Sequence, residues 1–460
     1  MTQSKKTMLN TRRQFLSRSL QGGACIATTA IFGPHVAWGN QPQFCYQSAN
    51  DKLNLAAIGV GNKGRHNVDQ IHNHNWVAFC DVDENFLNAC HQQHSTAQTF
   101  RDYRKMFDKL SNKIDGVVVS TADHTHAPAT SIALSLDKHV YCEKPLTHTV
   151  AEARAIRQLS LKHKVATQMG IQIHAESNYR RVVELIRSNA IGQITEVYTW
   201  CNKGWSNGRF AEAPGKKPSS LAWDLWLGPA SDRVYCENVH PANWRRFWEF
   251  GSGTFGDMAC HIMDLPFWAL DLKSPTKVTA SGPELHAVGT PSHCLATYEF
   301  PMDNRSSLKF HWSDGGSHFD LVKSTLDHQG NSLANWGLGV LFVGENGMLA
   351  ADYGRCQLLP EEQFVDFKSP ERTIPDSIGH WNEWLEACQT GEPTTCNFDY
   401  SGRLTETVLL GIVAFRAGQE FSWDPETMSI QDNPRAQDLL TKEYRSGFEV
   451  IGLADSLIPV

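Results

Sequence analysis

From residue 52 to residue 173, short apolar runs of strand length alternate with helical patterns. Leu53–Ile58, Trp76–Cys80, residues 115–120, HVYC at 139–142 and VATQMG at 165–170 read as strands. Between them, RHNVDQIHNH, VDENFLNAC, YRKMFDKL, APATSIALSL and VAEARAIRQLSLKH read as helices. Apolar strands alternating with helices predict a parallel, doubly wound sheet. The pattern then changes. ITEVYTWCN, HCLATYEF and SSLKFHW show a two-residue alternation, with Leu308, Phe310 and Trp312 on one face. GVLFVGENGMLAADYG reads as two strands around a turn at Asn346-Gly347. DSIGHWNEWLEACQTG and GRLTETVLLGIVAFRAGQ are helical. Residues 174–425 are therefore expected to form a second α/β unit with its own sheet, and 426–460 a wrapping tail.

The first 39 residues read as a targeting segment. Lys5, Lys6, Arg12 and Arg13 precede a modest apolar run, and Ala37 and Gly39 flank Trp38 at a plausible cleavage point. Thr11-Arg12-Arg13-Gln14-Phe15-Leu16 resembles a twin-arginine signal, which implies export of a folded, cofactor-loaded chain by the twin-arginine machinery. The expectation is a periplasmic protein without a stable membrane anchor, with residues 40–51 as a linker.

Composition narrows the function. The net charge is −7 and no dense Lys/Arg run follows residue 20, so no nucleic-acid footprint is expected. The 14 Trp and 20 His suit the walls of a pocket for a polar ligand. The 12 Cys contain no CxxC and no zinc spacing, so buried thiols are expected and no metal site.

The chemistry-bearing loops fall at the carboxyl ends of the predicted strands, where such sheets bind ligands. Gly59-Val60-Gly61-Asn62-Lys63-Gly64 lies between a strand and a helix, the context a dinucleotide-binding glycine loop requires. Asp81 lies 17 residues past Gly64, at the end of the next strand. A carboxylate there accepts from both ribose hydroxyls and repels a 2′-phosphate, which favours NAD over NADP. Ser120, Thr121, His124 and His126 in the next loop, and Glu143 and Lys144 in the one after, complete the expected cofactor edge.

Removing a hydride from a secondary alcohol needs a base for the O–H proton and a cation near the developing oxyanion. Lys144 is the expected cation. Beyond a glycine loop at 251–256, Asp257, His261 and Asp264 stand at i, i+4 and i+7, on one face of a predicted helix. His261 suits a general base; Asp257 is placed to orient it or to join Lys144, and Asp264 to brace its far side. Polar and aromatic residues nearby are substrate candidates: Gln172, His174, Tyr179 and Arg180, then His240, Asn243, Trp244 and Arg245.

Taken together, GVGNKG, STADHTHAP, YCEKPL and GDMACHIMD resemble the glucose–fructose oxidoreductase/inositol dehydrogenase (Gfo/Idh/MocA) family from about residue 52 to about 425. The resemblance implies a Rossmann domain followed by an α/β domain on an open, mainly antiparallel sheet. It also implies a cis Lys144–Pro145 bond, a carbohydrate substrate and a homodimer or homotetramer. The expected activity is NAD-dependent oxidation of a sugar, polyol or glycoside, with tightly bound, recycled cofactor because no replenished NAD pool is expected in the periplasm. The alternative is a redox-neutral hydrolase, lyase or epimerase working by transient oxidation and elimination.

Overall fold

The structure, a computed structural model, describes residues 52–212, 215–303 and 306–456. The expected signal segment and linker lie outside these residues. Six strands, β1 (Asn54–Ile58), β2 (Asn75–Cys80), β3 (Gln98–Phe100), β4 (Gly116–Val119), β5 (His139–Glu143) and β6 (Thr167–Gly170), form a parallel sheet in the order 3-2-1-4-5-6. That order reverses direction between β1 and β4, the switch point at which doubly wound sheets open a crevice. The connecting helices are α1 (Lys63–Gln70), α2 (Glu84–His91), α3 (Tyr103–Leu110), α4 (Asp123–Ser135) and α5 (Val150–His163). Three of their starts follow from side chains that satisfy otherwise unpaired N–H groups. Asp83 caps α2, Asp102 caps α3, and Thr149 with Glu152 forms a capping box on α5.

One boundary differs from the sequence expectation. The segment Asp123–His126 belongs to α4 rather than to a loop, so His124 and His126 are packed inside its first turns.

The second half begins with α6 (Ser177–Arg187) and builds an eight-stranded mixed sheet. Its strands are β7 (Ile194–Cys201), β8 (Lys277–Ser281), β9 (Leu295–Phe300), β10 (Leu308–Asp314), β11 (Leu338–Gly344), β12 (Gly347–Ala351), β13 (Cys356–Leu359) and β14 (Phe421–Ser422), in the order 13-12-11-7-10-9-8-14. Only β7 and β10 pair in parallel. The predicted hairpin forms one residue early: Gly344 pairs with Gly347, so Glu345 and Asn346 make the turn.

Helices α7 (Trp223–Leu227), α8 (Gly253–Ile262) and α9 (Asp264–Ala269) lie between β7 and β8. On the inner face of the sheet, Trp312 stacks on Phe255 of α8 with ring centroids 5.2 Å apart. Two late helices, α10 (His380–Thr390) and α11 (Phe398–Ala417), return to the first sheet. Trp384 of α10 fills a core with Leu55 and Tyr141, and Glu406 of α11 takes two bonds from Arg154 of α5, at 3.0 and 2.9 Å. The tail also runs over both halves: Ala151 N–H donates to the Leu440 carbonyl in the first, and Arg445 pairs with Asp224 of the second at 2.7 Å. The ten described cysteines are free, and eight of them are buried.

Candidate active site

The glycine loop after β1 is shaped by backbone approaches that leave no room for side chains. Gly59 has φ +80°, and a Cβ there would sit 2.6 Å from the Ser120 carbonyl oxygen. A Cβ on Gly64 would lie 1.9 Å from the Gly59 oxygen. Asn62, at φ 46°, turns the chain into α1. Asp81 locks this loop: its carboxylate accepts from Val60 N–H at 2.8 Å and from Asp83 N–H at 2.9 Å. Burial pushes its carboxyl up to about 6, although those N–H bonds pull the other way.

A cleft of about 320 Å³ runs from Asp81 past Gly59, Gly61, Asn62 and Lys63 to Ser120, Thr121, His124 and Arg245. Phe86, Tyr103, Trp226 and Phe448 supply aromatic walls. A bare backbone turn at a helix N-terminus, a carboxylate beyond it and flat apolar walls fit the pyrophosphate, ribose and base of a dinucleotide.

The two loop histidines act as struts. His124 places Nε2 3.0 Å from the Trp226 carbonyl, and burial pushes the imidazole down to about 3. His126 spans two cofactor-edge loops, with Nδ1 2.7 Å from the Pro145 carbonyl and Nε2 3.0 Å from the Thr121 carbonyl. It does not line the cleft.

The candidate reactive centre lies where the loop after β5 meets α8. Lys144–Pro145 is cis. The Lys144 ammonium donates to Asp257 Oδ1 at 2.5 Å and to the Asp257 carbonyl at 2.8 Å. Arg245 Nε donates to the same Oδ1 at 2.8 Å, and its guanidinium lies 4.1 Å from the Trp244 ring centroid. Burial alone would raise the Asp257 carboxyl, but Lys144 and Arg245 outweigh it and hold the group well below the usual carboxylate range. Glu143 accepts from Asn67 and Gln172, both at 3.0 Å, and lies 3.8 Å from Lys63. Gly170 makes room for it, since a Cβ there would lie 2.6 Å from the Glu143 carboxyl group.

A second carboxylate stands in this field that sequence reasoning passed over. Asp123 is 2% exposed, and its Oδ2 has no hydrogen-bond partner. Burial pushes it up to about 7, against the pull of Arg245 and Lys144. Its neighbours Thr121, His124 and His126 were singled out for the loop they were expected to form. The helical start at Asp123 turns this carboxylate inward instead.

The predicted helical face of Asp257, His261 and Asp264 is not continuous. Helix α8 stops at Ile262, and Asp264 opens α9. Asp264 is buried, accepting from Tyr400 OH at 2.7 Å and contacting His174 Nδ1 at 2.9 Å. It therefore braces the core, not His261. Asp257 Oδ1 is hydrogen-bonded to Lys144 and Arg245 rather than to His261, on which it acts only through its charge. Burial pushes that imidazole down to about 3, with the Lys144 charge adding to the effect.

Several substrate candidates prove to be supports. Tyr179 is fully buried and its hydroxyl donates to the His261 carbonyl at 3.1 Å, so it holds α8 and cannot face a ligand. Gln172 is spent on Glu143 and Tyr141, and Arg180 on Glu383. His240 lines the dinucleotide cleft, 3.5 Å from Asp83, and Trp244 is buried under Arg245. Of that set, Arg245 alone reaches the Lys144–Asp257 pair.

The model describing an oxidoreductase family's NAD-binding Rossmann fold matches residues 53–171, and the model of the same family's C-terminal alpha/beta domain matches residues 186–303. Together they span just over half of the chain. The chain belongs to the Gfo/Idh/MocA oxidoreductase family. Among its curated relatives, an inositol 2-dehydrogenase of Salmonella paratyphi B is 26% identical over 152 residues, covering 32% of this chain and 45% of that protein. The chain thus spans less than half the length of the curated relatives it matches first. Two solved structures share the fold. The WlbA dehydrogenase of Bordetella pertussis, solved with NADH and UDP-GlcNAcA, has 15% identity and a TM-score of 0.57, over 81% of this chain and 99% of that one. A scyllo-inositol dehydrogenase of Lactobacillus casei, solved with NAD(H) and scyllo-inositol, has 16% identity and a TM-score of 0.52, over the same shares.

Proposed function

We propose that this protein oxidises a secondary hydroxyl of a sugar, polyol or glycoside with a tightly held NAD, as an exported enzyme loaded with cofactor before it leaves the cytoplasm. The observation that carries the reading is the Lys144–Asp257–Arg245 cluster, whose Arg245 lines the glycine-loop cleft. The names of the inositol dehydrogenases, and the inositol solved in one of them, support a polyol or sugar class.

Bound NAD supplies the hydride acceptor. The chain's own residues handle the proton and the charge. Lys144 is held as a directed ammonium by Asp257, which Arg245 in turn fixes, and it faces the oxygen on which negative charge develops. The hydroxyl proton is assigned to His261, which burial keeps neutral. Glu143, braced by Asn67 and Gln172, holds Lys63 toward the cofactor side of the centre. Asp81 anchors the glycine loop and disfavours a 2′-phosphate. The redox-neutral elimination route has no observation of its own in this site.

Lys144→Ala tests the assignment. The expected result is a fall in kcat of about 10²–10⁴-fold with bound NAD retained. Full turnover in the variant would remove Lys144 from the mechanism. The proposed export is tested apart from catalysis: replacing Arg12 and Arg13 by Lys is expected to leave precursor in the cytoplasm. A homodimer or homotetramer belongs to the same reading and is checked by light scattering on the mature chain.

A further inference from the structure

A second cavity, of about 350 Å³, lies apart from the dinucleotide cleft. Its walls include His148, Arg233, Trp248, Ser252, Arg416 and Lys442. Most of its charges are matched. Arg233 pairs with Glu249 at 2.8 Å, Lys442 pairs with Glu152 at 2.9 Å, and Glu443 at the cavity is exposed. Arg416 is the exception. Its guanidinium lies 5.3 Å from the centroid of the Trp248 ring and has neither a carboxylate nor a hydrogen-bond partner among the described residues.

Arg416 is partly buried, and burial together with Arg435 works against its charge. The same cationic surroundings reach His148, which burial, Lys442 and Arg416 push far below its ordinary range. A partly desolvated guanidinium beside further cations, in an open cavity, is a receptor for an oxyanion, because its planar fork matches two oxygens of one group. The Trp248 face and the hydroxyls of Ser252 and Thr441 border the same space and suit a ring-bearing molecule of sugar size.

We propose that this cavity binds a small oxyanion-bearing ligand, a carboxylate or phosphate ester of sugar size, with Arg416 as its anchor. The site touches both segments that build the reactive centre. His148 follows Lys144 by four residues, and Gly251 and Ser252 lead directly into α8, which carries Asp257 and His261. A ligand here therefore bears on the two strands of chain that hold the Lys144–Asp257 pair together. The inference does not rest on the redox reading.

The test is calorimetric titration of the mature, NAD-saturated protein, so that the glycine loop is occupied, with sodium phosphate and separately with sodium D-gluconate. The expected result is saturable binding of at least one probe at a Kd below about 10 mM. In Arg416→Gln that binding weakens at least ~10-fold, because the bidentate fork is gone. Phosphate alone identifies a phosphate ester and gluconate alone a sugar acid; either supports the site. Thr441→Phe, which fills the same cavity from the tail, is the second variant and is expected to abolish binding should Arg416→Gln fail to fold. Absence of saturable binding by both probes, or unchanged binding in a folded variant, overturns the proposal.

Discussion

Asp123 and Lys144 show how differently two charged side chains of one centre can be coded. Lys144 was legible because the Glu-Lys-Pro loop follows a buried strand at the carboxyl edge of the sheet. Asp123 was not, because a helix start and a loop look alike around His-Thr-His. Its consequence is a pH dependence with a definite sign. The folded-state carboxyl sits near 7, whereas in the unfolded chain it titrates near 4. Between those values the folded chain keeps a proton that the unfolded chain has released. The stabilising contribution is therefore full below the unfolded value, falls as pH rises toward about 7, and is flat beyond. Asp123→Asn removes that slope. Melting temperatures measured from acid to neutral pH are expected to fall less in the variant than in the parent; parallel curves would show that Asp123 is already ionised. Tyr179, read from the sequence as a substrate contact, illustrates the converse. An aromatic hydroxyl near a site is as useful for holding a helix, and only the position of its partner, the His261 carbonyl, separates the two roles.

At the level of elements, the glycine loop was legible because three glycines at fixed spacing solve one packing problem. The structure gives that problem a size. A methyl group on Gly64 meets the Gly59 oxygen at 1.9 Å and the Ser120 Cβ at 3.2 Å, neither of which can rotate away. Gly64→Ala is expected to cost about 1–3 kcal/mol of stability and to empty the protein of NAD; denaturant unfolding and cofactor content of the purified variant check both. Retained NAD at full occupancy would mean that α1 shifts without losing the cradle. The break between α8 and α9 had a local signal that the spacing alone hides: Pro266 has no N–H for the Ile262 carbonyl and its ring crowds it, and the buried bonds of Asp264 to His174 and Tyr400 fix the junction at Met263.

Across the whole molecule, the parallel character of the first sheet and the presence of a second sheet followed from pattern and resemblance together. The details of the second sheet did not, because its strands pair across long separations, β7 with β10 and β11, and β8 with β14. Local periodicity carries no information about such partners. The same architecture sets the cofactor expectation. In the proposed reading Asp81, at the end of β2, favours NAD, so Asp81→Ala is expected to narrow the preference for NAD over NADP by at least ~10-fold; equal preference in parent and variant would detach Asp81 from the ribose.

The most direct measurement takes the exported, extensively washed protein, denatures one portion to assay nicotinamide per chain, and mixes another with a panel of polyols, sugars and glycosides while NADH absorbance is followed. The account predicts close to one NAD per chain and reduction of that bound NAD by at least one polyol or sugar, in the parent and not in Lys144→Ala. A washed chain that holds no nicotinamide and binds none on addition would contradict it, as would bound NAD that no hydroxyl compound in the panel reduces.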